Sequence, residues 1–553
     1  MRLPGWSRPL RPPLVLAADL SRPVSDEPAA SPLARLMAAR HPSLRDLVDT
    51  LAEAADDDRV RALVARVDRP AETWAHAEEL RGAVAAFRRS GKRAVAHAQS
   101  FGEAGDATLA YYVAAAFDEI HLQPTGDVGL VGLAAEVPFV AELLDKLDVE
   151  PQVDRRHEYK NAANLLTERG FTDAHREAVD RIVASHHEQL VAAIVAGRGV
   201  DGQQAAALID RGPLAAADAR TAGLVDRLAY RDQTVTDTKA AAGPGARLVT
   251  SQAYGSTRRR RRTLRPRRAT TVALVHGHGG IQVGRSRRWP LGATMGADTV
   301  VLGFQQAIRD RRVRAVLFRV DSPGGSAVAS DAIWRAVVRA RQAGKPVVVS
   351  MGSVAGSGGY WVSLGADRIV AAPGTITGSI GVVAGKLVTS GLRQRLGVTA
   401  DEAHRGANAL MFSSNQRFTE AQWERMQGFL DRVYDDFVDR VAQGRDLTRE
   451  RVHELARGRV WTGADAAERG LVDDLGGYPQ ALAAVRDLLG LDPAARLRLR
   501  VLPRQSLPER LGLRQPPPEE ARALAAAAGA GLRLAGLRED GAARMPEWAT
   551  RLG

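Results

Sequence analysis

The sequence predicts an α/β protein built from two copies of one domain, each a largely parallel sheet covered by helices. Three observations carry that expectation. Blocks recur in the same order: "DDDRVRALVARVDRP", ending at Pro70, returns as "DRRVRAVLFRVDSP", ending at Pro323, and "YYVAAAFDEIHLQPTGDVGLVG" from Tyr111 returns as "YWVSLGADRIVAAPGTITGSIG" from Tyr360. Apolar runs such as "VRAVLFRV" and "KPVVVSM" lack period-2 alternation, which marks strands buried on both faces and hence a parallel sheet. Between them lie amphipathic stretches such as "DTVVLGFQQAIRD" and "TEAQWERMQGFLDRVYDDFVDRVAQG", completing a βα rhythm.

Two further pairs, "SGKRAVAHA" with "AGKPVVVSM" and "DARTAGLVDRL" with "DAAERGLVDDL", extend the correspondence to the end of each copy. The expected organisation is an N-terminal repeat over 1–245, an Arg-rich linker over 246–270, a C-terminal repeat over 271–500 and a Pro/Ala-rich tail over 501–553.

The chain has 553 residues, 45% of them hydrophobic and 25% charged, enough for two cores. It contains no cysteine, which excludes disulfides, thiolate metal sites, iron–sulfur ligation and a cysteine nucleophile. Eight arginines in "RRRRRTLRPRR", 258–268, supply most of the net charge of +13. With no aromatic residues interleaved, the run reads first as a solvated linker, next as a contact for anionic lipid through Arg258–Arg268, and not as a nucleic-acid surface. Near the N-terminus the longest apolar run, Leu14 to Ala18, is too short for a signal peptide or a spanning helix. The expectation is a cytoplasmic protein, peripheral to a membrane at most.

A duplicated fold is its own control, because what folding needs appears twice and a single active site appears once. Where the first half has Ala71-Glu72-Thr73, the second has Gly324-Gly325-Ser326, a turn that leaves backbone N–H groups free to hold a developing oxyanion. Opposite Thr108 stands Ser357, within "GSVAGSGGYW", a strand–turn–helix setting where a hydroxyl stands exposed and the Gly358 N–H joins the oxyanion donors. Ser353, earlier in the loop, is the weaker nucleophile candidate. No histidine is nearby to act as base; His276, His278 and His404 read as loop or structural residues. Among 77 basic residues only six are lysines, and Lys92 and Lys345 occupy equivalent turns. Lys160 in "EYKNAANLLTERGF" has no lysine counterpart, and a lysine, unlike an arginine, can serve as a neutral base. No metal-binding spacing appears, and no cofactor is expected.

Taken with "VDSPGGSAVASDAIW" and "GRVWTGADAAERGLVDDLGG", these stretches resemble the long, tandemly duplicated signal peptide peptidase A family, also called protease IV, over residues 14 to 490. The resemblance implies a ClpP/crotonase-like fold for each repeat and a Ser/Lys dyad split between them, Ser357 from the second and Lys160 from the first. It implies that Ser379 orients the lysine amine and that Gly324, Gly325 and Gly358 form the oxyanion hole. It also implies peptide substrates such as cleaved signal peptides, and a homotetramer enclosing an apolar interior. The competing expectations are a crotonase-like acyl-CoA enzyme and a catalytically silent scaffold.

Overall fold

The computed structural model describes residues 12–22, 24, 43–69, 71, 73–264, 269–289 and 292–504. Each repeat is a helix-flanked sheet, and the two have one strand order. In the first the order is Arg227–Leu228, Glu119–Leu122, Arg93–Ala98, Val60–Arg66, Leu14–Asp19, Arg247–Thr250, every pair parallel. In the second it is Asp474–Leu475, Arg368–Ala371, Val347–Gly356, Val313–Ser322, Thr270–His278, Leu497–Leu502, again parallel. Ile376–Gly378 adds to the far end of Val347–Gly356, and Val460–Thr462 pairs antiparallel with it. The tandem α/β duplication read from the sequence is the observed architecture.

The apolar runs become the central strands because both their faces meet helices. Leu63, Phe87 and Phe101 in the first core, and Phe318, Ile333 and Val349 in the second, are fully buried. Helix starts are duplicated with the strands. Thr73 caps Trp74–Arg89 and Ser326 caps Ala327–Gln342, while Thr172 and Thr419 cap two 26-residue helices, Asp173–Arg198 and Glu420–Arg445. Lys92 donates to the carbonyls of Ala54, Ala55 and Asp57, and Lys345 to those of Ala307 and Asp310, closing helix C-termini in both repeats. Those two lysines are structural.

The stretch expected as a linker over 246–270 is largely ordered. Arg247–Thr250 is the edge strand of the first sheet, the counterpart of Leu497–Leu502, and Ser251–Leu264 is a helix. The helix is tied down at long range: buried Tyr254 donates to the Asp57 carboxylate at 2.9 Å, and Arg258 pairs with the same group. The side chains of residues 259–268 and all of the tail beyond 504 lie outside the described residues.

The repeats dock through a strand pair of their own. Glu150–Arg155 of the first runs antiparallel to Val383–Val388 of the second. Across the same interface Arg319 and Glu79, each 1% exposed, form an ion pair at 2.7 Å, and Arg181 holds Asp465 at 2.9 Å. A buried pair of this kind repays its desolvation only in good geometry.

Candidate active site

Ser357 follows directly on strand Val347–Gly356 and opens the short helix Gly358–Trp361. Its backbone, φ 53° and ψ −118°, lies where a non-glycine residue is strained, a feature concentrated at functional sites. The strain is held by packing. The Ser357 N–H donates to the Gly378 carbonyl at 2.8 Å, and its side chain is 1% exposed.

Lys160 arrives from the other repeat. Strand Glu150–Arg155 delivers the chain to the second repeat, the Arg156 N–H donates to Val382 O at 3.0 Å, and the Tyr159 N–H donates to Arg457 O at 3.1 Å. Its Nζ stands 3.2 Å from Ser357 Oγ, 2.9 Å from the Ser379 carbonyl and 2.9 Å from Ser379 Oγ. All three neighbours are neutral oxygens. With no carboxylate to favour ammonium, burial alone pushes the Lys160 amine down to about 7. Glu158 is turned outward, half exposed, where it accepts from Arg457 at 2.8 Å.

The three glycines come to the same place, with one distinction. Gly324 has φ +102°, and a Cβ there would lie 2.8 Å from both Gly358 N and Ser357 Cβ, so only glycine allows the turn to lie against the serine. Its own N–H, however, donates to Ser322 Oγ at 3.1 Å. Among the described residues the N–H groups of Gly325 and Gly358 have no acceptor. They are neighbours, since a Cβ on Gly358 would stand 3.2 Å from the Gly325 nitrogen. The available donor pair is therefore Gly325 and Gly358, and the contribution of Gly324 is its conformation.

The other candidates lie elsewhere. Ser353 Oγ donates to Thr73 Oγ1 at 2.7 Å, a contact between repeats. His278 sits 3.6 Å from Asp321, His404 is exposed near Glu402, and the side-chain partner of Ser357 Oγ is Lys160. Among the described residues no group of three His, Asp or Glu could hold a metal ion. In the first repeat the corresponding place is filled: Thr108 Oγ1 donates to Gly132 O at 3.0 Å, and Leu130 and Phe101 are fully buried.

Sequence reasoning missed Gly458. A Cβ there would stand 2.4 Å from Lys160 N and 2.5 Å from its Cα, so the lysine segment reaches the serine only because residue 458 has no side chain. The same Arg-Gly pair occurs at 211–212 and 457–458, so comparing the halves could not single it out.

The family model described as peptidase family S49 matches residues 86–244 and 339–492, one stretch in each repeat. The chain belongs to peptidase family S49. Similar relatives include a chloroplastic serine protease SPPA of Arabidopsis thaliana, 27% identical over 84% of this chain and 69% of that one. Protease 4 of Salmonella typhi is 32% identical over 81% of this chain and 72% of its own. A putative signal peptide peptidase SppA of Enterococcus faecium is 38% identical over 32% of this chain and 52% of its own. Among solved structures, a ClpP1 point mutant from Listeria monocytogenes aligns with 38% of this chain and 94% of its own, at 14% identity and a TM-score of 0.25. Within the family match, the second stretch carries Ser357 and Ser379 and the first carries Lys160.

Proposed function

We propose that this S49 chain is a serine endopeptidase that cleaves short or unfolded apolar peptides through a Ser357/Lys160 dyad. The observation that carries the reading is a buried lysine amine 3.2 Å from a strained serine hydroxyl, with no charged partner among the described residues to keep the amine protonated. Neutral Lys160 takes the Ser357 proton as the oxygen attacks the peptide carbonyl. The carbonyl oxygen becomes an oxyanion held by the N–H groups of Gly325 and Gly358. The tetrahedral adduct collapses, the Lys160 ammonium returns its proton to the leaving amine, and an acyl-enzyme on Ser357 remains. Water, deprotonated by the same amine, then releases the second product. Ser379 directs the amine by accepting two of its N–H bonds, at its carbonyl and its hydroxyl.

The substrate class rests on chemistry around the turn and on a relative's name. Ile281 accepts the Ser326 N–H and donates to Gly324 O, and the exposed valines Val283 and Val328 lie two residues from this clamp, offering apolar contact beside the oxyanion site. Signal peptides, named for the Enterococcus relative, are apolar and unfolded once released. No helix among the described residues is long and apolar enough to cross a membrane. We assign the working form to a homotetramer, as the family resemblance implies.

A serine-reactive fluorophosphonate tests the chemistry. Wild type is expected to be labelled at Ser357, Ser357→Ala unlabelled, and Lys160→Met to lose roughly 10²–10⁴-fold in kcat on a fluorogenic apolar peptide. An unlabelled wild type that instead turned over an acyl-CoA thioester would replace this reading with a crotonase-type one.

A further inference from the structure

Ser322 is fully buried, its hydroxyl joins two backbone groups, and the dyad chemistry does not use it. It is the last residue of strand Val313–Ser322, opposite Ala355 and just past a register shift. Its Oγ donates to the Gly279 carbonyl at 2.8 Å, at the end of the neighbouring strand Thr270–His278, and accepts the Gly324 N–H at 3.1 Å. The rest of the turn is clamped from the other side, where the Ile281 N–H donates to Gly324 O at 2.8 Å and the Ser326 N–H to Ile281 O at 2.9 Å. With Gly324 fixed at both N–H and carbonyl, the amide of Gly325 is the one left unsatisfied.

The duplication says what this hydroxyl is for. The first repeat has "VDRP" where the second has "VDSP", so Arg69 stands in the place of Ser322, and no Gly-Gly turn follows. That repeat folds the same parallel sheet without the hydroxyl. The serine and the glycine turn occur together, in the repeat that carries Ser357.

We propose that Ser322 is a positioning residue for the oxyanion donors. Its hydroxyl ties the Gly324-Gly325 turn to the end of strand Thr270–His278, so that the Gly325 N–H points to the same place as the Gly358 N–H. It also occupies the Gly324 N–H, which otherwise would be a third donor in the wrong orientation. The role rests on the peptidase reading above.

The test is steady-state kinetics of the full chain on a fluorogenic apolar peptide, with fluorophosphonate labelling in parallel. Ser322→Ala is expected to lower kcat about 10- to 100-fold, somewhat less than deletion of an oxyanion donor. KM should stay within twofold, and the acid limb of the pH profile should not move, because Ser322 does not touch Lys160. Undiminished kcat overturns the inference, as does a fall in kcat accompanied by a raised KM or a shifted acid limb, which would mark general loosening of the site. Should the alanine variant fail to fold, Ser322→Cys keeps the volume while weakening both hydrogen bonds; a several-fold fall in kcat at constant KM supports the role and an unchanged kcat overturns it. A wild type that neither cleaves nor takes the label defeats the peptidase reading and this inference with it, whereas an active wild type with an equally active Ser322→Ala defeats the inference alone.

Discussion

Lys160 combines two effects of one cause. Removing its amine from water brings its pKa from 10.5 to about 7, which makes it a competent base near neutrality, and the same desolvation opposes folding. In the unfolded chain the amine holds its proton up to about pH 10.4, while in the folded chain it releases it near 7, so between those values the unfolded state binds more protons and stability rises with pH. The deficit is fully present below about pH 7 and disappears towards pH 10; a shift of this size corresponds to about 5 kcal/mol. Lys160→Met is therefore expected to be far less active and yet more stable than wild type at pH 7, with the gap in urea midpoint closing as pH approaches 10. Equal stability of the two proteins across that range would show that the amine is solvated and remove the basis for its low pKa. In wild type the same proton equilibrium sets the acid limb of kcat/KM, expected near pH 7 and rising with pH, since only the neutral amine accepts the Ser357 proton.

At the scale of elements, the site depends on one strand pair and one close approach. Glu150–Arg155 crosses to Val383–Val388, and the chain then passes over Gly458 closely enough that a methyl group there would overlap the Lys160 backbone. Gly458→Ala is expected to displace the amine and lower kcat/KM by roughly 10²-fold or more, since a shift of about 1 Å is enough for such a loss. Gly470→Ala is the control: φ is +74° there too, but the methyl group meets open space, so the expected cost is about 1–2 kcal/mol of stability with activity retained. Equal effects of the two substitutions on activity would contradict the close-approach argument. The duplicated sheets were legible because their pattern recurs in both halves, and Ser357 and Lys160 stood out as candidates because each lacks a counterpart in the other half, their pairing being what the family resemblance implied. Glu150–Arg155 was not, since its polar "EPQVDR" becomes a strand only against a partner from the other repeat. The helix at Ser251–Leu264 escaped for a related reason: what holds its arginine-rich sequence is Asp57, nearly two hundred residues earlier. The engaged N–H of Gly324 likewise depends on a hydroxyl whose orientation no spacing reveals.

For the whole molecule, the internal pseudo-symmetry leaves two edges without partners. Helix Ala141–Lys146 of the first repeat corresponds to Ser390–Arg395 of the second. By that register residues 134–139 occupy the place of Val383–Val388, and 399–404 the place of Glu150–Arg155. Within the chain, Val383–Val388 and Glu150–Arg155 pair with each other, while 134–139 and 399–404 are in no strand. Exposed Val131, Leu143, Leu396 and Val398 flank these segments within four residues, apolar side chains that a monomer would leave in water. Pairing 134–139 of one copy with 399–404 of the next repeats the intramolecular contact between molecules, a head-to-tail contact that builds a ring when its rotation closes and a filament when it does not. With the tetramer that the family resemblance implies, the expected species in light scattering at micromolar concentration is a ring of four 59.3 kDa chains. Val137→Pro, which removes an N–H at a position equivalent to the hydrogen-bonded Lys386, is expected to yield monomers that still take the phosphonate at Ser357, because Lys160 and Ser357 meet within one chain. A wild type that stays monomeric at that concentration rules out the ring, and a Val137→Pro variant that remains tetrameric places the contact on another surface.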